Sequence, residues 1–172
     1  MQQYQWYDIV KGDDDLMQGD FIRDCPVVIP PSEISDEIDV KIINYNVVVM
    51  SQSCDLVQRK LDLVLVCPIW PLSDFEKRSD FFESKEGKEA LRRGNVPGYH
   101  LLNKCEIEEF KTDYLIVDFR SVYSVPFNFL LELAKKRGSR MRLLPPYREH
   151  LSQAFARFFM RVGLPVDIPP FK

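Results

Sequence analysis

Apolar and polar positions along this chain alternate in short bursts, and only near its end do they settle into a helical stripe. GDFIRDCPVVI at 19–29, VKIINYNVVVM at 40–50 and LDLVLVCPI at 61–69 are rich in β-branched residues, and each predicts a strand. Asp62 sits inside the third alternation and Pro68 ends it. TDYLIVDFRSVYSV at 112–125 alternates through Asp118 and Arg120 and predicts one further strand, stopped by Pro126, while NVPGYHLL is a turn leading into a short one. Helical signals are fewer. Ser73-x-x-Glu76 has the spacing of a capping box, and Arg92-Arg93-Gly94 supplies late cations and a terminal glycine. Together they predict a helix across 73–94 that Gly87 weakens in its middle. FNFLLELAKKR forms a short helix ended by Gly138. In YREHLSQAFARFFMRVG (147–163), Leu151, Ala154, Phe155, Phe158, Phe159 and Val162 share one stripe, which predicts an amphipathic helix. PPSEISDEID is a polar loop, RMRLLPPY an extended connector, and LPVDIPPFK an extended tail.

These elements predict a mainly β, α+β fold: a small β-barrel of five to seven strands with two or three appended helices, the last of them C-terminal and amphipathic. A length of 172 residues fits one domain with a real core. Twelve prolines against seven glycines agree with stiff connections and short strands. No apolar run reaches the roughly 18–20 residues of a membrane span, and the N-terminus lacks the basic and apolar regions of a signal peptide, so a cytoplasmic protein is expected.

One stretch breaks the pattern. In VVVMSQSCDL a buried-strand run gives way to five small or polar residues before the next strand. Two readings are open. Ser51, Ser53 and Asp55 cap backbone N–H groups in a tight turn with Cys54 packed inward, or Gln52, Ser53, Cys54 and Asp55 form a polar recognition surface beside Trp70. A sharper version makes Cys54 a nucleophile with His100 as base and Asp118 or Asp55 as orienting group, although no glycine-rich oxyanion loop accompanies it.

Cys25, Cys54, Cys67 and Cys105 are scattered, with no C-x-x-C pair and no histidine at ligand spacing, so neither metal nor cofactor is expected. Three of them lie in or beside strand-like runs, where a free cysteine is a small buried hydrophobe. Charge changes the picture more. The chain carries a net −3, yet residues 1–40 hold ten acids against Lys11 and Arg23. Residues 135–161 hold Lys135, Lys136, Arg137, Arg140, Arg142, Arg148, Arg157 and Arg161 against Glu149 alone. Such runs are solvated faces, or the basic end binds an acidic partner or RNA, or the two ends meet each other. A pI near 5.5 argues against a dedicated nucleic-acid binder.

The order of the pieces resembles the MazF/PemK toxin family. Its elements are the strand Gly19-Asp20-Phe21-Ile22, a long loop, VVVMSQ, a strand ending in Pro68-Ile69, and YLIVDFRSV with its Asp and Arg. The resemblance covers about residues 18–130 and implies an SH3-like barrel, with residues 131–172 as a basic helical extension and proline-rich tail. Family ribonucleases rely on an Arg in the loop after the first strand and a Thr or Ser just after the Pro-Ile pair. Here Pro30–Asp39 has no cation, and Trp70 and Pro71 follow Pro68-Ile69. Loss of a charge-stabilising donor costs about 10²–10³ in rate. The expectation is therefore a catalytically silent MazF/PemK-like module that binds another protein, in a prokaryotic toxin–antitoxin or defence setting. The alternative is a metal-independent endoribonuclease with a rearranged site drawing on Arg59, Arg120 and His100.

His100 otherwise reads as a strand histidine, Asp118 and Arg120 as a structural ion pair, and Tyr147, Arg148 and His150 as helix-start packing. Arg148, Arg157 and Arg161 are the residues expected to face an acidic partner surface. RNA and a second copy of the chain are the other partners left open.

Overall fold

The computed structural model describes residues 4–34 and 40–160. Among these the fold is α+β, with eight strands and six helices. The strands are β1 (Tyr7–Val10), β2 (Phe21–Ile29), β3 (Lys41–Val49), β4 (Leu63–Pro71), β5 (Tyr99–Leu102), β6 (Leu115–Asp118), β7 (Tyr123–Pro126) and β8 (Arg140–Leu143). The helices are α1 (Ser53–Val57), α2 (Leu72–Glu76), α3 (Asp80–Glu83), α4 (Lys85–Arg92), α5 (Phe127–Arg137) and α6 (Tyr147–Phe159). No helix among the described residues is long and apolar enough to cross a membrane.

Six strands form one antiparallel sheet in the order β2-β3-β4-β6-β5, with β7 paired to the first half of β4. No pairing among the described residues joins β5 back to β2, so the sheet stays open instead of closing into the expected barrel. Its centre explains the valine run. Val47 and Val49 enter one apolar cluster with Val64, Val66, Leu130 and Ala134. Val48 enters another with Phe21, Cys67, Phe119 and Leu151. A strand covered on both faces needs apolar residues at every position rather than at every second one. α5 closes one face, and α6 with the β1–β8 pair closes the other.

Several elements depart from the sequence expectations for local reasons. The single helix expected across 73–94 is three short ones, because Ser79 and Ser84 act as N-caps in its middle. Their Oγ atoms accept from the N–H groups of Phe81 and Gly87. The Ser73/Glu76 capping box is not used. Gly87 is no weak point: a Cβ there would lie 1.8 Å from the Phe81 carbonyl oxygen, so glycine is what lets α3 and α4 touch. The strand expected at 112–125 breaks after Asp118, whose carboxylate accepts the Arg120 N–H at 3.0 Å and so makes a turn. The connector RMRLLPPY contains β8, which pairs with β1. Residues 161–163 of the helix expected over 147–163, and the proline-rich tail, lie outside the described residues.

Candidate functional site

The polar turn after β3 is built to hold the chain together. Ser51 Oγ accepts the Leu65 N–H at 2.9 Å, and Ser53 Oγ accepts the Gln18 N–H at 3.1 Å. Gln18 Nε2 in turn donates to the Met50 carbonyl at 2.7 Å. Both serines thus satisfy backbone donors that have no strand partner. The turn continues into the single-turn helix α1, which the sequence did not suggest. Cys54 does not pack inward: it is exposed, while Cys25, Cys67 and Cys105 are buried. Burial pushes the Cys25 thiol up to about 11 and the Cys67 thiol up to about 12, as expected of inert core cysteines.

The two oppositely charged ends meet. Asp20, with no exposed surface, receives Arg140 Nε at 2.8 Å and Arg142 Nη2 at 2.9 Å. Arg140, itself only 3% exposed, sends its Nη1 to the Lys11 and Gly12 carbonyls and its Nη2 to those of Asp14 and Asp15. One guanidinium therefore ties down the acidic loop, and all its donor directions are used. Gly19, at φ +85°, lets the chain turn into this pair beside Leu143. Arg137 adds a bond to the Asp24 carbonyl at 3.1 Å. Two cations of the basic run are thus spent inside the fold, and Arg137 is tied to the chain at the surface.

α6 separates what remains. Its apolar side is seated on the sheet: Leu151 is fully buried, and Phe155 and Phe158 pack on Phe119 with centroids 5.4 and 6.2 Å away. Phe159, placed in the same stripe by sequence, is 62% exposed. At the start of the helix, Tyr147 stacks on Trp6 at 3.6 Å. Arg148 and Arg157 do not share a face; they lie half a turn apart around the helix. Arg148 joins Gln52, Ser53, Cys54 and Glu149 around a polar hollow of about 380 Å³, where it pairs with Glu149 at 2.8 Å and Gln52 donates to Ser152 Oγ at 3.2 Å. Arg161 lies outside the described residues.

On the opposite flank is a cleft of about 450 Å³ between the end of α4, the start of β5 and α6. Arg92, Arg93, His150 and Arg157 line it, with Leu91, Leu101, Pro97 and Ala154 as apolar wall. His100 lines it too, but burial, aided by the nearby His150, pulls its pKa down to about 4, so it is uncharged at neutral pH. Arg92 holds Glu89 at 2.8 Å and Arg93 reaches the same carboxylate at 3.4 Å. Arg157 has no ion pair among the described residues, and no acidic side chain lines the cleft. The cleft therefore carries a clear excess of positive charge.

The Cys54–His100 dyad is not assembled, because the two line separate cavities on different flanks of α6. Asp118, nearly buried, is held by Arg120 at 3.2 Å, and Arg120 lies over Tyr99 with its Cζ 4.5 Å from the ring centroid. Trp70 sits edge-on to Tyr45 and is covered by Arg78 at 4.8 Å. Asp55 makes no side-chain bond to the turn, and Arg59, in a left-handed backbone conformation at φ +51°, borders a separate hollow with Asp62 and Asn128. No group of three or more His, Cys, Asp or Glu is placed to hold a metal ion among the described residues. Arg92 and Arg93 read in sequence as helix-end cations; their position opposite α6 is a long-range fact that no local pattern carries. No protein-family model matches this chain, and neither does any curated protein.

Proposed function

We propose that this protein is a catalytically silent, MazF/PemK-like interaction module that docks an acidic surface of another protein through the cationic side of α6. The observation that carries this reading is the division of that helix. Leu151, Phe155 and Phe158 are consumed by the protein's own sheet, so Arg157 on the other side is held out to solvent with nothing of this chain to pair with among the described residues. The groups that could do chemistry support silence. His100 is uncharged and half-buried, Arg120 is engaged by Asp118, and Trp70 and Pro71 stand where the resembling ribonucleases carry hydroxyls. Cleavage through a 2′-hydroxyl needs a base and a free cation at one phosphate, and these residues do not offer the pair.

One observation favours the second reading, an endoribonuclease. Arg78 and Arg120 lie over Trp70 and Tyr99 on the sheet surface, an arrangement in which cations and rings alternate. The test has two arms. Purified protein incubated with mixed-sequence single-stranded RNA, without metal, is expected to leave it intact. Tagged protein and its Arg157→Glu variant, used as bait in a native-host extract at low and moderate salt, are expected to differ by one partner that the variant loses. Metal-independent cleavage abolished by Arg120→Ala would replace the docking reading with the second one.

A further inference from the structure

We propose that the cleft between α4 and α6 is a peptide groove, and that its occupant is a short acidic segment carrying one aliphatic side chain. The inference rests on the docking reading and adds to it the site and the chemistry of what enters. Charge complementarity argues for the acid. Arg92 and Arg93 on one wall face Arg157 and His150 on the other, and Glu89 is the one carboxylate in contact with any of the three arginines. A carboxylate between the walls meets guanidinium groups from both sides, and the planar fork of arginine binds it with two parallel bonds.

The apolar wall argues for the aliphatic side chain. Leu101, Pro97 and Ala154 keep exposed surface within the same cleft as the arginines, so a purely ionic ligand leaves them wet. Volume agrees, since about 450 Å³ holds one or two side chains and their backbone, not a folded surface. The same wall disfavours nucleic acid. Its only tyrosine, Tyr99, is capped by Arg120 and packed at right angles by Phe75 and Phe82, so that ring is already engaged within the fold and offers no free platform for a base. Arg92 and Arg93 are also positioned in advance: each is anchored on Glu89, and α4 is pinned to α3 through Gly87.

The experiment measures fluorescence anisotropy of a labelled peptide of about ten residues, aspartates with one central leucine, against the full chain. Two companion peptides replace the aspartates by asparagine or the leucine by serine, and a single-stranded RNA oligonucleotide of similar length competes. The expected result is binding by the first peptide and about tenfold weaker binding by each companion. Binding should fall about tenfold again in the Arg93→Glu/Arg157→Glu protein, with no change in Lys136→Glu. Arg93→Gln/Arg157→Gln gives the same comparison if charge reversal disturbs folding. Equal binding to the altered proteins, no binding at all, or displacement by the RNA overturns the groove. If the acidic peptide fails while Arg157→Glu still loses its native partner, the groove falls and the docking module stands. RNA cleavage by the protein removes the docking reading independently of either.

Discussion

Two groups of arginines in this protein meet opposite fates. Around Asp20, Arg140 and Arg142 are drawn inside, and every donor of Arg140 is matched by a carboxylate or a carbonyl. In the α4–α6 cleft, Arg92 and Arg93 share a single glutamate, Arg157 pairs with no acid among the described residues, and all three are exposed. Both groups pair a basic stretch with another part of the chain, and neither is distinguishable from a solvated charge run by composition. What separates them is satisfaction. A matched buried cation specifies the fold, and an unmatched exposed one is available to something outside it.

The difference is sharpest in stability. Arg140→Met removes the side-chain bonds to the Lys11, Gly12, Asp14 and Asp15 carbonyls and leaves the buried Asp20 carboxylate with Arg142 as its one cation. Breaking a buried pair on one side costs about 3–5 kcal/mol. Urea unfolding should show that loss, together with protease cleavage in the Lys11–Asp15 loop. A variant as stable as the parent would mean that the interior arginines are no more committed than the exposed ones.

The cleft has its own half-buried member, and it responds to acid. His100 has a pKa near 4 folded against 6.5 for the free side chain. The unfolded chain therefore takes up a proton first as pH falls. The stability linked to His100 is whole above pH 6.5, is lost progressively below it, and the loss is complete near pH 4. A difference of that size corresponds to about 3 kcal/mol. Carboxylates titrate over the same range, so the measurement is the gap between the parent and His100→Gln, which should lose the part of the slope between pH 6.5 and 5. Parallel curves would place His100 in contact with water and enlarge the cationic wall.

How much of this was legible beforehand depends on the range of the interaction. The valine run, Gly94 and Gly138 after their helices, and Leu151, Ala154, Phe155 and Phe158 of the α6 stripe are local signals, and they stand where the sequence put them. β1 was invisible because four residues pairing with a strand more than a hundred positions away carry no local mark. α1 lay hidden in a turn whose serines read correctly as backbone caps. The open sheet replaced a closed barrel because closure depends on where β2 and β5 end, and residue periodicity says nothing of that. In the cleft, His100 and Arg157 were both singled out, but the two arginines opposite were read only as helix-end charges.

A smaller effect tests whether the cleft wall is rigid. Gly87→Ala drives a methyl group into the Phe81 carbonyl, so α3 and α4 must part or α4 must shift. Overpacking of this kind costs about 1–3 kcal/mol. The expected result is a modest loss in melting temperature with weaker acidic-peptide binding, because Arg92 and Arg93 move with α4. Unchanged binding would show that the arginines adapt to a displaced backbone and were not prepositioned.

The smallest effect on stability is the most informative about function. Arg157 is exposed, touches no acid among the described residues, and lies about a third of a turn around α6 from the buried Leu151, on the flank that lines the cleft. Surface changes away from packed features stay within about 0.5 kcal/mol, so Arg157→Glu should unfold with the parent. Binding is another matter. The substitution puts a negative charge between Arg92, Arg93 and an incoming acid, which recruits those arginines inward and repels the ligand. Screening reaches about 10 Å at 0.1 M salt and about 3 Å at 1 M. The binding defect should therefore be large at low ionic strength and shrink as salt rises, because the parent loses affinity while the variant has little left to lose. A variant that unfolds early would move Arg157 into the class of Arg140. One that unfolds normally and binds normally at both salt concentrations would show that an unmatched arginine on this helix is only a solvated charge.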